Sequence, residues 1–347
     1  MVLRRATRPG PEPPRATIFR WDLDKTYLKS DFESLRELVR IPFEKPEDKI
    51  AVPGVVLLIR GLRDVATQAG REVRIYFISA SPPQIAKAIK EKLALDGIEY
   101  DGIVFKNQLQ NLVRGKFRHL REQVGYKLTE LLKSRAEMPP ESTEVLFGDD
   151  WESDPIIYSL YADVLANRLA AEELDAVLDT IGVDPKLSMR AKELAAAARH
   201  EDVVTRIYIN LDRRTPPAHF RLFGSRLVPT YNYFQTAVCL YQDGHLTLPA
   251  VAHVADNLIN ASRYTPERLA NSLADITRRG HLTQASAIAM REYLHARGLL
   301  PHRRIGEVRL SPWRRLLRWL KNEPAQQPAS PETINYQTLV AEWRGTR

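Results

Sequence analysis

Short apolar runs that end in polar loops, each followed by a segment of helical period, set the tightest limit on how this chain can fold. Residues 16–19 lead into Trp21-Asp22-Leu23-Asp24-Lys25-Thr26. Val55, Leu58, Ile59, Leu62, Val65 and Ala66 then recur at helical spacing, and Gly70 stops the run. Residues 73–78 are rich in β-branched and aromatic side chains and stop at Ser79-Ala80-Ser81-Pro82-Pro83. Ser81 suits a helix N-cap and Pro82 a first helical position, and Ile85, Ile89 and Leu93 follow on one face. Strand, loop, helix, twice over, predicts parallel βα units with a site at the carboxyl ends of the strands.

Further on, residues 101–105 and 144–147 read as short strands, and a helix opens at Lys127 with Leu128, Leu131 and Leu132. Gly148-Asp149-Asp150-Trp151-Glu152-Ser153-Asp154-Pro155 leads straight into a helix over 156–164, and 203–210 reads as another strand. The fold class predicted is α/β: a doubly wound, mostly parallel sheet over residues 16–248, carrying a helical insertion at about 165–200. A helical extension is expected over 249–321, with helices starting at Thr265 and Thr283 and stopped by Gly280 and Gly298. Residues 31–40 have a helical pattern, and the loops that follow either flap over a site or form an ordinary connection.

The remaining totals narrow the class. A single cysteine, Cys239, excludes an intrachain disulfide framework and fits a reducing compartment, so a cytoplasmic location is expected. No apolar run approaches the roughly 20 residues that span a bilayer. Residues 1–15 carry arginines and prolines without an apolar centre and read as a disordered lead-in rather than a secretory signal. Residues 322–347, which begin Pro-, Gln-, Ala- and Ser-rich, read as a flexible tail. The eight histidines lack paired zinc-ligand spacing. A formal net charge of +8 favours an anionic partner without choosing among phosphate esters, anionic membranes and nucleic acid. No cluster of aromatic and basic residues points to base stacking, which leaves nucleic acid the minority reading.

Four features fall at strand ends or helix starts, in an order that suits phosphoryl transfer. Asp22 can attack phosphorus as a carboxylate nucleophile, and Asp24, two residues on, can protonate the leaving oxygen and later activate water. Thr26, Ser79 and Lys127 can hold phosphoryl oxygens as charge develops. Asp22, Asp24, Asp149 and Asp154 can ligate Mg²⁺, whose shell takes few protein carboxylates, with the carbonyl of Asp24 as one possible ligand. Each has a plainer alternative. Ser79 can satisfy loop backbone, Lys106 and Lys116 rival Lys127, Asp154 before Pro155 is a good N-cap, and Asp149 is not separable from Asp150. Trp151 and Tyr158 read as packing residues.

This ordered set resembles the haloacid dehalogenase superfamily in its phosphatase form. A narrower resemblance lies in Phe77-Ile78-Ser79-Ala80-Ser81-Pro82, Gly125-Tyr126-Lys127, Gly148 through Tyr158 and Arg206-Ile207-Tyr208-Ile209, which are similar to the catalytic domain of actin-patch-type phosphatidate phosphatases. The chain departs from that pattern at Tyr126, in place of histidine, at Lys25, in place of a third aspartate, and at Asp150 and Trp151, in place of small residues. The resemblance implies Mg²⁺-dependent phosphomonoester hydrolysis, with phosphatidate as substrate. The alternatives are a phosphatase of a small metabolite, protein or nucleic-acid end, and a non-catalytic binding protein on the same fold. Ser311-Pro312 opens a segment through Lys321 in which Trp313, Leu316, Leu317 and Leu320 share one helical face, with arginines elsewhere. Such a helix either lies on an anionic membrane, giving peripheral attachment, or packs on the domain.

Overall fold

A computed structural model describes residues 16–29, 50–79, 85–105, 116–151, 153–301 and 334–345. The predicted lead-in over 1–15, the segment 31–40, Ser81, Pro82, Lys106 and the basic stretch 311–321 lie outside the described residues.

Six parallel strands form one sheet in the order β3-β2-β1-β4-β5-β6. They are β1 (Thr17–Asp22), β2 (Val73–Ser79), β3 (Gly102–Phe105), β4 (Thr143–Asp149), β5 (Val204–Asn210) and β6 (Leu227–Thr230). The chain builds outward from β1 in one direction, then returns to β4 and builds the other way. A crevice is expected where the order reverses, at the carboxyl ends of β1 and β4. This is the doubly wound α/β architecture expected.

Period-two alternation divides the core into two layers. Phe19, Trp21, Phe77, Val145, Phe147 and Tyr208 face one layer, with Trp21 stacked on Phe147 at 3.6 Å. That layer is closed by α1 (Val55–Gln68), by α2 (Ala86–Leu95) and by a later helical group. Ile78, Leu146, Ile207 and Ile209 face the other layer, under α3 (Lys116–Ala136), α4 (Asp154–Leu165), α5 (Ala171–Ile181) and α6 (Pro185–Ala197). The last two occupy the expected insertion, parted at Gly182 and reopened by the Asp184 side chain, which accepts from the Lys186 amide.

Lys127 does not open a helix, as its sequence context suggested, but sits in the middle of α3. Gly125, two residues before it in the same helix, serves as a contact. A Cβ there would meet Val183 Cγ1 at 2.7 Å, so the small residue lets the segment leading to α6 pack closely. β6 was not anticipated. Its four residues include Pro229, which an edge strand tolerates because one side of its backbone faces no partner strand.

After α7 (Tyr233–Gln242), helices α8 (Leu248–Ser262), α9 (Pro266–Arg278) and α10 (Gln284–His295) share the first core layer with β1 and β2. Each of these three opens on a threonine, Thr247, Thr265 or Thr283, whose hydroxyl accepts an amide of the first turn. The flexible tail expected over 322–347 requires correction. Tyr336–Gly345 form a helix, α11, with Tyr336, Leu339 and Val340 buried in the second layer. The Tyr336 hydroxyl donates to Asp163 Oδ2 at 2.6 Å. No described helix is long and apolar enough to cross a membrane.

Candidate active site

The carboxyl end of β1 carries Asp22, and the alternation that turns Arg20 towards α3 turns Asp22 the same way. Lys127 reaches across from α3 to place Nζ 2.8 Å from Asp22 Oδ1 and 2.6 Å from Asp154 Oδ1. All three side chains are buried. Asp22, Asp149 and Asp154 each present an oxygen such that all three lie within 4.8 Å of one another. Carboxylates packed this closely repel one another, and one lysine only partly offsets them.

Asp154 reaches the cluster because of Gly148. A Cβ at residue 148 would lie 2.6 Å from Asp154 Cβ, so only glycine leaves room for that carboxylate above the end of β4. Asp154 is therefore not the N-cap its position before Pro155 suggested. Ser153 holds that place, while Asp154 Oδ2 accepts the Asp149 amide at 3.3 Å. Gly148→Ala is expected to cost about 1–3 kcal/mol in urea unfolding, the usual range for overpacking, and to push Asp154 off Lys127.

The structure separates the two adjacent aspartates. Asp150 accepts the backbone amides of Arg213 at 2.9 Å and Thr215 at 3.0 Å, which ties down the loop after β5. Asp149 turns into the acidic cluster and accepts the Trp151 amide at 2.5 Å. Trp151 is not a packing residue. It is 41% exposed, its indole N–H donates to Asp212 at 2.7 Å, and Lys25 Nζ and Arg213 Cζ lie 5.2 and 4.7 Å from the ring centre. The two departures at Lys25 and Trp151 thus meet one another. Tyr158 is a core residue whose hydroxyl donates to the Phe147 carbonyl at 3.3 Å.

The loop after β1 is held from two sides. Asn210 Nδ2 donates to the Lys25 carbonyl at 3.1 Å, and the Tyr233 hydroxyl donates to the Thr26 carbonyl at 2.5 Å. Lys25 takes a left-handed conformation there, with φ of 60°. Ser79, last in β2, donates to Asp24 Oδ2 at 3.3 Å, so the Asp24 carboxylate joins Ser79 rather than the three-carboxylate group. Thr26 Oγ1 is buried without a hydrogen-bond partner among the described residues. Lys106, and the side chain of Lys116, lie outside the described residues; Lys127 is the lysine seen in the site.

Sequence reading missed Gln123 and gave Tyr126 no role. Gln123 is 2% exposed, and neither end of its amide finds a partner among the described residues. The Tyr126 hydroxyl is likewise buried and unpartnered. Burial, then the Glu130 charge, drive its phenol above the ordinary value; Lys127 opposes this and Asp22 adds to it. It is a neutral donor at physiological pH. A four-residue repeat back from Lys127 was the available signal for Gln123.

An all-carboxylate donor set of three oxygens fits a hard divalent cation such as Mg²⁺. Neither a curated protein nor a solved structure matches the chain. Residues 21–171 match the family model described as phosphatidate phosphatase APP1, catalytic domain. That segment holds Asp22, Asp24, Thr26, Ser79, Lys127, Asp149 and Asp154, so every candidate site residue lies in the part of the chain that is similar to this catalytic domain.

Proposed function

We propose that the chain is a Mg²⁺-dependent phosphomonoester hydrolase that acts on phosphatidate through an aspartyl-phosphate at Asp22. The observation that carries the reading is buried Lys127 set between Asp22 and Asp154, with Asp149 alongside. The family match supplies the lipid as substrate class.

In the first step an Asp22 carboxylate oxygen bonds to phosphorus as the bond from phosphorus to the ester oxygen breaks, and Asp24 gives its proton to the departing alcohol. In the second, Asp24 takes a proton from water, whose oxygen displaces Asp22 and releases inorganic phosphate. Ser79 and Thr26 donate to the phosphoryl oxygens, and Lys127 trades its carboxylate contacts for them. Asp22, Asp149 and Asp154 would hold Mg²⁺, which supplies the positive charge that lets a carboxylate approach an anionic phosphate. Phosphatidate lies in a bilayer, and we assign docking to the basic segment 311–321.

The test is phosphate release from phosphatidate in mixed micelles, glycerol 3-phosphate, a phosphopeptide and a 3′-phosphorylated oligonucleotide. Phosphatidate is expected to turn over fastest. EDTA should stop the reaction, and Mg²⁺ should restore it and raise the melting temperature, since a ligand at 100 times its Kd adds about 2.7 kcal/mol. Fastest turnover of another ester would reassign the substrate. Release from none of them would leave a binding protein on this fold.

A further inference from the structure

Helix α3 carries one stripe that reads the sheet from bottom to top. Arg135 meets Glu144 at the start of β4, Leu131 packs in the core, and Lys127 meets Asp22 at the end of β1. The helix therefore runs against the strands, and each four-residue step climbs about 6 Å. One further step gives Gln123. By that spacing Gln123 is one turn from Lys127, on the side away from Arg135.

Among the described residues neither end of its buried amide has a hydrogen-bond partner, and the buried hydroxyl of Tyr126, the residue before Lys127 on the same helix, has none either. Folding leaves such groups unpaired at a cost, so they are suited to a partner beyond the described residues, such as a bound substrate. In-line attack by Asp22 puts the leaving oxygen on the far side of phosphorus from Asp22.

We propose that Gln123 and Tyr126 form the subsite for the alcohol half of the substrate, hydrogen-bonding oxygens next to the scissile ester bond. The inference rests on Asp22 as nucleophile. An amide that both donates and accepts, beside a phenol that donates, fits an alcohol bearing carbonyl or hydroxyl oxygens. A glyceride and a small polyol both supply these.

Gln123→Leu and Tyr126→Phe should be assayed on dioleoyl phosphatidate in mixed micelles, glycerol 3-phosphate and p-nitrophenyl phosphate, which has no oxygen next to its ester bond. Each variant is expected to lower kcat/KM on the glyceryl esters about 10- to 100-fold and to leave p-nitrophenyl phosphate unchanged. Loss on both esters assigns the contacts to glycerol oxygens, and loss on phosphatidate alone assigns them to the acyl esters. Gln123→Leu should melt at or above the wild-type temperature, because it removes a buried amide that bonds nothing. Equal losses on all three substrates, no loss, or a lower melting temperature for Gln123→Leu would overturn the subsite. Wild-type protein inactive on all three would instead remove the phosphatase reading beneath it.

Discussion

Asp22→Asn leaves a folded protein whose phosphatidate turnover falls at least about 10⁴-fold, the scale seen when a nucleophile is removed from a catalytic unit. The substitution keeps the shape of a fully buried side chain and changes one oxygen to nitrogen. Lys127 retains Asp154 at 2.6 Å, so its charge stays compensated. One negative charge leaves a buried acidic cluster, and thermal unfolding in EDTA should therefore move up or stay level. The pairing of lost turnover with kept stability is the informative outcome. A variant that lost both would show Asp22 to be a structural ligand of Lys127.

The second large effect lies at the opposite end of the same strands. Glu144 accepts Arg20 at 2.8 and 3.2 Å, Arg135 at 3.3 Å and the Tyr161 hydroxyl at 3.0 Å, all buried. Glu144→Ala leaves the buried Arg20 guanidinium without its carboxylate, while Arg135 keeps Glu201 at 3.7 Å, and is expected to cost about 3–5 kcal/mol in urea unfolding. Burial pushes the Glu144 carboxyl up, but the charge and hydrogen bonds of Arg20, with Arg135 and Tyr161, more than reverse this and hold it below its ordinary value. The sign follows. A depressed folded pKa gives stability that is present above the ordinary carboxylate range of about 4.3 and is lost as pH falls through the folded value. The difference between wild type and Glu144→Ala should thus be full at neutral pH and shrink below about pH 4.

Much of this molecule is legible locally. Strands β1 and β2 announce themselves by composition, and their last residues, Asp22 and Ser79, are where polar chemistry interrupts an apolar run. What was misread depends on distant contacts. Lys127 reads as the start of a helix, and the small Gly125 just before it gains its reason only once Val183 is seen against it. Asp149 and Asp150 are equivalent on paper, and only the loop containing Arg213 and Thr215 tells them apart. Helix α11 follows a polar, proline-rich stretch, and it docks through Tyr336 on Asp163, 173 positions away. Gln123 belongs to no motif. Its position becomes meaningful once Arg135 and Lys127 fix the direction of α3.

The most direct test is to quench the enzyme in acid during turnover of ³²P-labelled phosphatidate with Mg²⁺ and map the label by peptide mass spectrometry. Phosphate should be found on Asp22, released by hydroxylamine as an acyl phosphate is, and absent from Asp22→Asn. Label on any other side chain, or turnover by Asp22→Asn at the wild-type rate, would contradict attack by Asp22.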